Sequence, residues 1–261
     1  MEKSVSLRRE GHIARITLNR PAQYNVINTS LAADYTQALK QCRDDDASRA
    51  IVLTGSGKAF CAGGDLKFFN EKLKEESIGP AFKELMPAWN SALLLMREMP
   101  KPIIAALNGV TAGGGMGLAL ACDFRIASSA IILQTAFLGI GLSPDSSISF
   151  FLPRYVGMGR ATELLVKNRP ITADKALDLG LVSSVVPPEK VMDEAMALAQ
   201  ELAMGPAEAI ARTKQLLNKS LESPLSDQLD SEARLITQSA RSPDFSEGMT
   251  AFLEKRRPSF S

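Results

Sequence analysis

Two glycine-rich segments and one aspartate carry the residue types from which chemistry could be built. Phe60-Cys-Ala-Gly-Gly-Asp-Leu66 and Asn108-Gly-Val-Thr-Ala-Gly-Gly-Gly-Met-Gly117 each follow an apolar, β-rich run and precede helical periodicity. Glycine at such a junction leaves backbone N–H groups free to face a ligand, and the helix that follows adds the positive end of its dipole. Three consecutive glycines, Gly113 to Gly115, also permit close backbone approach. Two loops of this kind can each aim one N–H at a single oxygen, which makes an oxyanion hole. Neither has the spacing or the lysine of a phosphate-binding loop. Asp145, in Leu142-Ser-Pro-Asp-Ser-Ser147, is the acid candidate. Standing before a helical stretch, it reads equally well as an N-cap. Asp65 and Asp123, beside the glycine loops, read as caps or backbone braces.

The composition narrows what these residues can do. The chain has 261 residues, 30 Lys+Arg against 29 Asp+Glu, and 45% apolar residues. That is ample for a buried core and ordinary for a globular protein. A net charge of +1 removes the broad attraction expected of a protein that grips nucleic acid or anionic lipid. The single histidine, His12, excludes any metal site or catalytic dyad that needs two. Cys42, Cys61 and Cys122 are widely spaced, so neither a zinc ribbon nor a disulfide framework is expected, and the thiols fit a reducing, cytoplasmic setting. The uncharged stretch from Ile103 to Cys122 is long enough to suggest a membrane span. Its five glycines each cost a helix roughly 1 kcal/mol relative to alanine, so strand, turn and helix is the better reading.

The elements that must position the loops follow from periodicity. Val5 to Leu7 and Ile13 to Leu18 predict a hairpin turned at Glu10-Gly11. Ser30 is placed to cap a helix with the apolar stripe Leu31, Tyr35, Ala38-Leu39 and Cys42. Arg49 to Gly55 predicts a buried strand, followed by a loop to Asp65 and helix through Met99. Ile103 to Leu107, Cys122 to Ala127 and Ile131 to Leu133 predict three more strands, and Leu181 to Val186 another. From Pro188 onward the pattern is helical, with Pro206, Pro224 and Pro243 at helix boundaries. An α/β core with a helical C-terminal region results. Apolar pairs such as Leu216-Leu217 and Leu235-Ile236 in that region predict association between copies.

Taken together and in order, Leu18-Asn-Arg-Pro21, Phe60 to Asp65, Asn108 to Gly115, Gly141-Leu-Ser-Pro-Asp145 and the closing Glu247-Gly-Met-Thr-Ala-Phe-Leu-Glu-Lys255 resemble the crotonase (enoyl-CoA hydratase/isomerase) superfamily over almost the whole chain. The resemblance implies a ββα spiral core with an acyl-CoA site over residues 1–187 and a helical trimerisation region over 188–261. It implies trimers or dimers of trimers, with no metal and no cofactor beyond the coenzyme A of the substrate. The oxyanion donors implied are the N–H groups of Gly64 and Gly114. Ala62, Gly63, Asp65 and Leu66 would line the CoA path. Trp89 and Asn90 would shape the acyl pocket, and Gly117, Phe137 and Leu142 would also bind the substrate. Phe252 and Lys255 would reach a neighbouring subunit's CoA.

Departures from the family pattern decide between reactions. Hydratases of this superfamily use two glutamates, and the matching positions here are Gly117 and Phe137. Adding water to a double bond needs one group to activate water and another for the α-carbon proton. Asp145 remains, at the site where the ring-epoxide phenylacetyl-CoA isomerase and a group of Δ3,Δ2-enoyl-CoA isomerases carry their single acid. One carboxylate suffices to shift a double bond. Phe137, Leu142, Phe150 and Phe151 would raise its pKa. Aryl-CoA dehalogenases resemble this chain around Asn108 to Gly157 and use the same aspartate as a nucleophile. Their histidine base and tryptophan are matched here by Asn90 and Phe137. A CoA-binding protein without activity is the third reading.

Overall fold

Aliphatic residues dominate Ala50–Gly55 and Ile103–Leu107, and every residue of both runs is buried. Strands covered on both faces belong in the middle of a parallel sheet. The computed structural model, which describes residues 3–220 and 222–260, places them there. The chain opens on the antiparallel hairpin Val5–Glu10 (β1) and Ile13–Leu18 (β2), turned at Gly11. The helix Thr29–Asp44 (α1) follows. Its cap is Asn28, whose side chain accepts from the Leu31 N–H at 3.0 Å; Ser30, the cap expected from sequence, lies in the first turn.

Three turns of a ββα pattern come next. Ala50–Gly55 (β3), Ala59–Cys61 (β4), Leu66–Lys74 (α2) and Ile78–Glu98 (α3) make the first; Ile103–Leu107 (β5), Val110–Ala112 (β6) and Gly114–Ala121 (α4) make the second. Phe124–Ser128 (β7), Ile132–Gln134 (β8), Ile148–Val156 (α5) and Met158–Lys167 (α6) make the third. Ile171–Thr172 (β9), Ala173–Asp178 (α7) and Ser184–Val186 (β10) close the series. Each turn sends its first strand to a six-stranded sheet, ordered β1-β2-β3-β5-β7-β10, and its second to a four-stranded sheet, ordered β4-β6-β8-β9. Among the described residues only β1 with β2 and β8 with β9 pair antiparallel. The chain therefore crosses from one sheet to the other at the end of β3 and of β5, and the glycines Gly63-Gly64 and Gly113 to Gly115 follow the second strands, β4 and β6, where each leads into its helix. The three-residue strands β4 and β6 lie where the sequence predicts only loops.

Val191–Ala203 (α8) covers the large sheet. Val191, Ala195, Ala199 and Ala203 recur every four residues on one face and pack on Ile13, Val52, Ile104 and Ile126. The helical region expected from residue 188 thus begins with a helix that belongs to the core. Ala207–Ser220 (α9), Leu225–Ser239 (α10) and Pro243–Glu254 (α11) follow, with Leu217, Leu225, Ile236 and Phe252 exposed. No helix among the described residues is long and apolar enough to cross a membrane.

A buried ion pair fastens α9 to the core. Lys214 Nζ donates to Asp123 Oδ2 at 2.7 Å and to the Lys101 carbonyl at 3.2 Å. Asp123 also accepts from the Ile103 N–H at 2.9 Å and from Arg97, so it is a brace, as its position suggested. Burial pulls the Lys214 amine down and Asp123 draws it back up. Lys214→Met is expected to lower folding stability by about 2 kcal/mol, the worth of a hydrogen bond between charged groups. The urea midpoint at constant slope measures it; an unchanged midpoint would mean that α9 is held by other contacts.

Candidate active site

The two glycine segments meet in backbone contact. A β-carbon built on Gly63 would lie 3.3 Å from the Gly114 nitrogen and 2.9 Å from the Ala112 carbonyl. Gly63 and Gly113 take φ of +94° and +52°, a region that other residues seldom enter. Gly114 is the first residue of α4, so its N–H has no acceptor within the helix. At the first loop, the Ile27 N–H donates to the Gly63 carbonyl at 2.7 Å and the Asp65 N–H to the Ile27 carbonyl at 3.0 Å, which skips the Gly64 N–H. Among the described residues both N–H groups are left without a backbone acceptor, and both glycines line one cavity of about 220 Å³.

Asp145 opens into the same cavity and is its one ionisable side chain among the described residues. Leu85, Met86, Trp89, Phe137, Ile140 and Leu142 form apolar wall, with Phe69 stacked on Phe82 at 4.6 Å between ring centroids. Burial pushes the Asp145 carboxyl above the usual carboxylate range, and a hydrogen bond from Ser146 Oγ at 2.7 Å partly opposes it. The carboxylate does not cap α5; Ser147 holds that position. Cys61 and Cys122 are buried, and burial pushes both thiols up to about 12, so neither supplies a thiolate. The arrangement pairs two free amide donors with one half-buried carboxylate, which suits removal of a proton next to a carbonyl.

A profile of the enoyl-CoA hydratase/isomerase family matches residues 8–261. The chain belongs to the enoyl-CoA hydratase/isomerase family. A relative from Rhodobacter capsulatus named "Probable enoyl-CoA hydratase" is 40% identical over 250 residues, covering 95% of this chain and 94% of that one. The 1,2-epoxyphenylacetyl-CoA isomerase of Escherichia coli is 37% identical over 255 residues, covering 97% and 96%. The crystal structure of an enoyl-CoA hydratase from Polaromonas sp. JS666 superposes with a TM-score of 0.93 at 33% identity, covering 98% and 99%. The fold is the crotonase α/β spiral with its C-terminal helices, as the motif set implies.

Within this family member, the residues expected at the site divide. Gly64, Gly114, Asp145, Ala62, Gly63, Leu66, Trp89, Phe137 and Leu142 all line the cavity. Asp65 does not: its side chain caps α2, accepting from the Phe68 N–H at 3.2 Å, and pairs with Arg20 at 3.1 Å. Asn90 is exposed, because the helical rotation that buries Trp89 turns its neighbour outward. Gly117 lies behind the cavity wall, where a β-carbon would stand 2.1 Å from the Ser146 carbonyl oxygen. It is a packing position, not a binding one. Phe252 and Lys255 sit on exposed α11 and its end, outside this cavity. Phe150 and Phe151 stack under Arg154 and Arg97 and are absent from the wall.

Ile27, Phe69, Phe82, Leu85, Met86 and Ile140 are among the wall residues that were not expected there. Apolar residues on helices α2 and α3 carry the same sequence signature whether they face core or cavity. Ser146 was also unanticipated, since Trp89, the residue that donates to it, is 57 positions away.

Proposed function

We propose that this chain is an acyl-CoA isomerase that moves a C=C bond from the 3,4 to the 2,3 position of an enoyl thioester. The observation that carries this reading is the solitary carboxylate of Asp145 in a cavity that also holds the free amides of Gly64 and Gly114. The thioester oxygen accepts from those two N–H groups, which stabilises the enolate. Asp145 takes the proton from C2, and the electron pair delocalises through the 3,4 double bond. The same carboxyl then returns the proton to C4. No atom is gained or lost, so one acid/base group completes the cycle. Coenzyme A enters as part of the substrate, and no resident cofactor or metal is required.

Hydration is disfavoured because both glutamate positions of the hydratases are empty of acid, at Gly117 and Phe137. Hydrolysis or dehalogenation through an Asp145 ester lacks a base to activate water, since Asn90 points out of the cavity. The exposed apolar side chains of α10 and α11 support a trimer or a dimer of trimers, in which Phe252 and Lys255 serve a neighbouring subunit's CoA. Three free, buried cysteines support a cytoplasmic setting.

The test is an assay of linear and cyclic 3-enoyl-CoAs with hydration followed in parallel. The expected outcome is conversion to 2-enoyl-CoA without 3-hydroxyacyl-CoA. Hydration at a rate matching or exceeding isomerisation overturns the reading, and so does tight thioester binding with no turnover across the panel.

A further inference from the structure

We propose that Trp89 and Ser146 form a one-way hydrogen-bond relay that positions the Asp145 carboxylate, holding Oδ1 and leaving Oδ2 free for proton transfer; this rests on the isomerase reading above. The direction of the relay follows from the groups themselves. Trp89 Nε1 lies 2.9 Å from Ser146 Oγ, and an indole N–H can only donate. Ser146 Oγ must therefore accept from Trp89, and its one proton is directed to Asp145 Oδ1 at 2.7 Å. Trp89 is fully buried and Ser146 nearly so, so water does not compete for these bonds. Oδ2 receives no hydrogen bond among the described residues. With Oδ1 occupied, the proton that Asp145 takes from C2 and returns to C4 resides on Oδ2.

The backbone is shaped around this hydroxyl. Ser146 and Ser147 take φ of +52° and +65°, two successive left-handed residues of which neither is glycine. Such residues each cost of order 1 kcal/mol and persist only where their surroundings hold them. The Ser146 carbonyl rests on Gly117, and its hydroxyl lies 2.8 Å from where a Gly114 β-carbon would stand. The left-handed turn thus inserts Oγ between Trp89, Asp145 and the residue that offers one of the oxyanion amides. A hydroxyl that only satisfied its own hydrogen bonds would need no such strain.

The relay has a consequence that a purely structural serine lacks. A hydrogen bond to the charged form favours the carboxylate, so losing it leaves burial unopposed and raises the Asp145 pKa. Among the described residues, no other ionisable side chain lines the cavity this carboxylate faces, whether from the glycine loops, α3 or the segment 136–142 that encloses it. The acidic limb of the kcat/KM profile therefore reports Asp145 alone.

The deciding variant is Ser146→Gly, which adopts the left-handed turn without strain and removes the hydroxymethyl side chain that carries the donor. It is expected to move the acidic limb up by about one pH unit, the value of one hydrogen bond to a charged group. The expected loss in kcat is about 10- to 100-fold with little change in KM. Trp89→Phe is expected to shift the limb in the same direction by less, because Ser146 keeps its hydroxyl and loses only its orientation. A limb that stays in place in Ser146→Gly overturns the relay, whatever happens to kcat. Titration of carboxyl-13C-labelled Asp145 in the wild type and in Ser146→Gly makes the same decision for a protein that turns over no 3-enoyl thioester. Failure of the relay and failure of the isomerase reading are thereby told apart.

Discussion

Replacing Asp145 by Asn is expected to lower isomerase turnover by about 10²–10⁴-fold, the usual value of a positioned acid/base group, and to leave acyl-CoA affinity nearly unchanged. Asn still accepts from Ser146 and fills the same volume, and the Gly64 and Gly114 amides are untouched. What disappears is the basic oxygen. The pH dependence of the wild type follows in sign. In the proposed mechanism the carboxylate form is the base, and burial holds its pKa above the usual range, so activity is expected to fall as pH drops through that raised value. Stability runs the other way. A pKa higher in the folded than in the unfolded protein contributes stability below the unfolded value and loses it as pH rises through the folded one. At neutral pH the ionised Asp145 is therefore a cost to the fold, and Asp145→Asn is expected to be no less stable than the wild type. Steady-state rates, calorimetric titration with a saturated acyl-CoA and urea unfolding together check the three parts. Turnover above one tenth of the wild type would remove Asp145 from the mechanism.

What could be read from sequence, and what could not, has a physical boundary. The glycine segments stood out because glycine at a strand–helix junction has few other uses, and the fold brings them together because they follow the paired neighbouring strands β4 and β6. The long aliphatic runs of β3 and β5 were legible because burial on both faces leaves no alternation of polar positions, Thr54 being the one polar side chain in either run. β4 and β6 were not, since three residues cannot display a period. Asn90 and Gly117 were placed at the site by position in a family pattern, and local geometry overrode both: helical rotation in one case, a backbone contact in the other. The cap reading of Asp145 failed because Ser146 and Ser147 turn left-handed without glycine to announce it. The Trp89 hydrogen bond to Ser146 joins residues 57 positions apart, and no local pattern encodes such a contact.

Returning a glutamate to position 117 is expected not to create a hydratase. A β-carbon there would stand 2.1 Å from the Ser146 carbonyl oxygen and 2.9 Å from its carbonyl carbon and β-carbon. Two of these three are main-chain atoms, so no rotamer change relieves the overlap. Overpacking a core typically costs 1–3 kcal/mol where side chains can yield; here they cannot, and Gly117→Glu is expected to lose about 3 kcal/mol or more. The turn that carries Asp145 must move to admit the new side chain, and a shift of about 1 Å in a catalytic group costs on the order of 100-fold. Isomerisation should fall by that factor while no 3-hydroxyacyl-CoA appears from 2-enoyl-CoA. Gly114→Ala is the contrast: its β-carbon would meet Ser146 Oγ at 2.8 Å and Ile27 Cδ1 at 3.0 Å, both side-chain ends that can rotate aside. It is expected to keep the fold and to slow turnover by disturbing the Ser146 hydroxyl. Hydration by Gly117→Glu at a rate near the wild type's isomerisation would show that the turn yields after all. The missing acid and the strained turn are then one structural fact, since the main chain that presents Asp145 fills the room a glutamate at 117 would need.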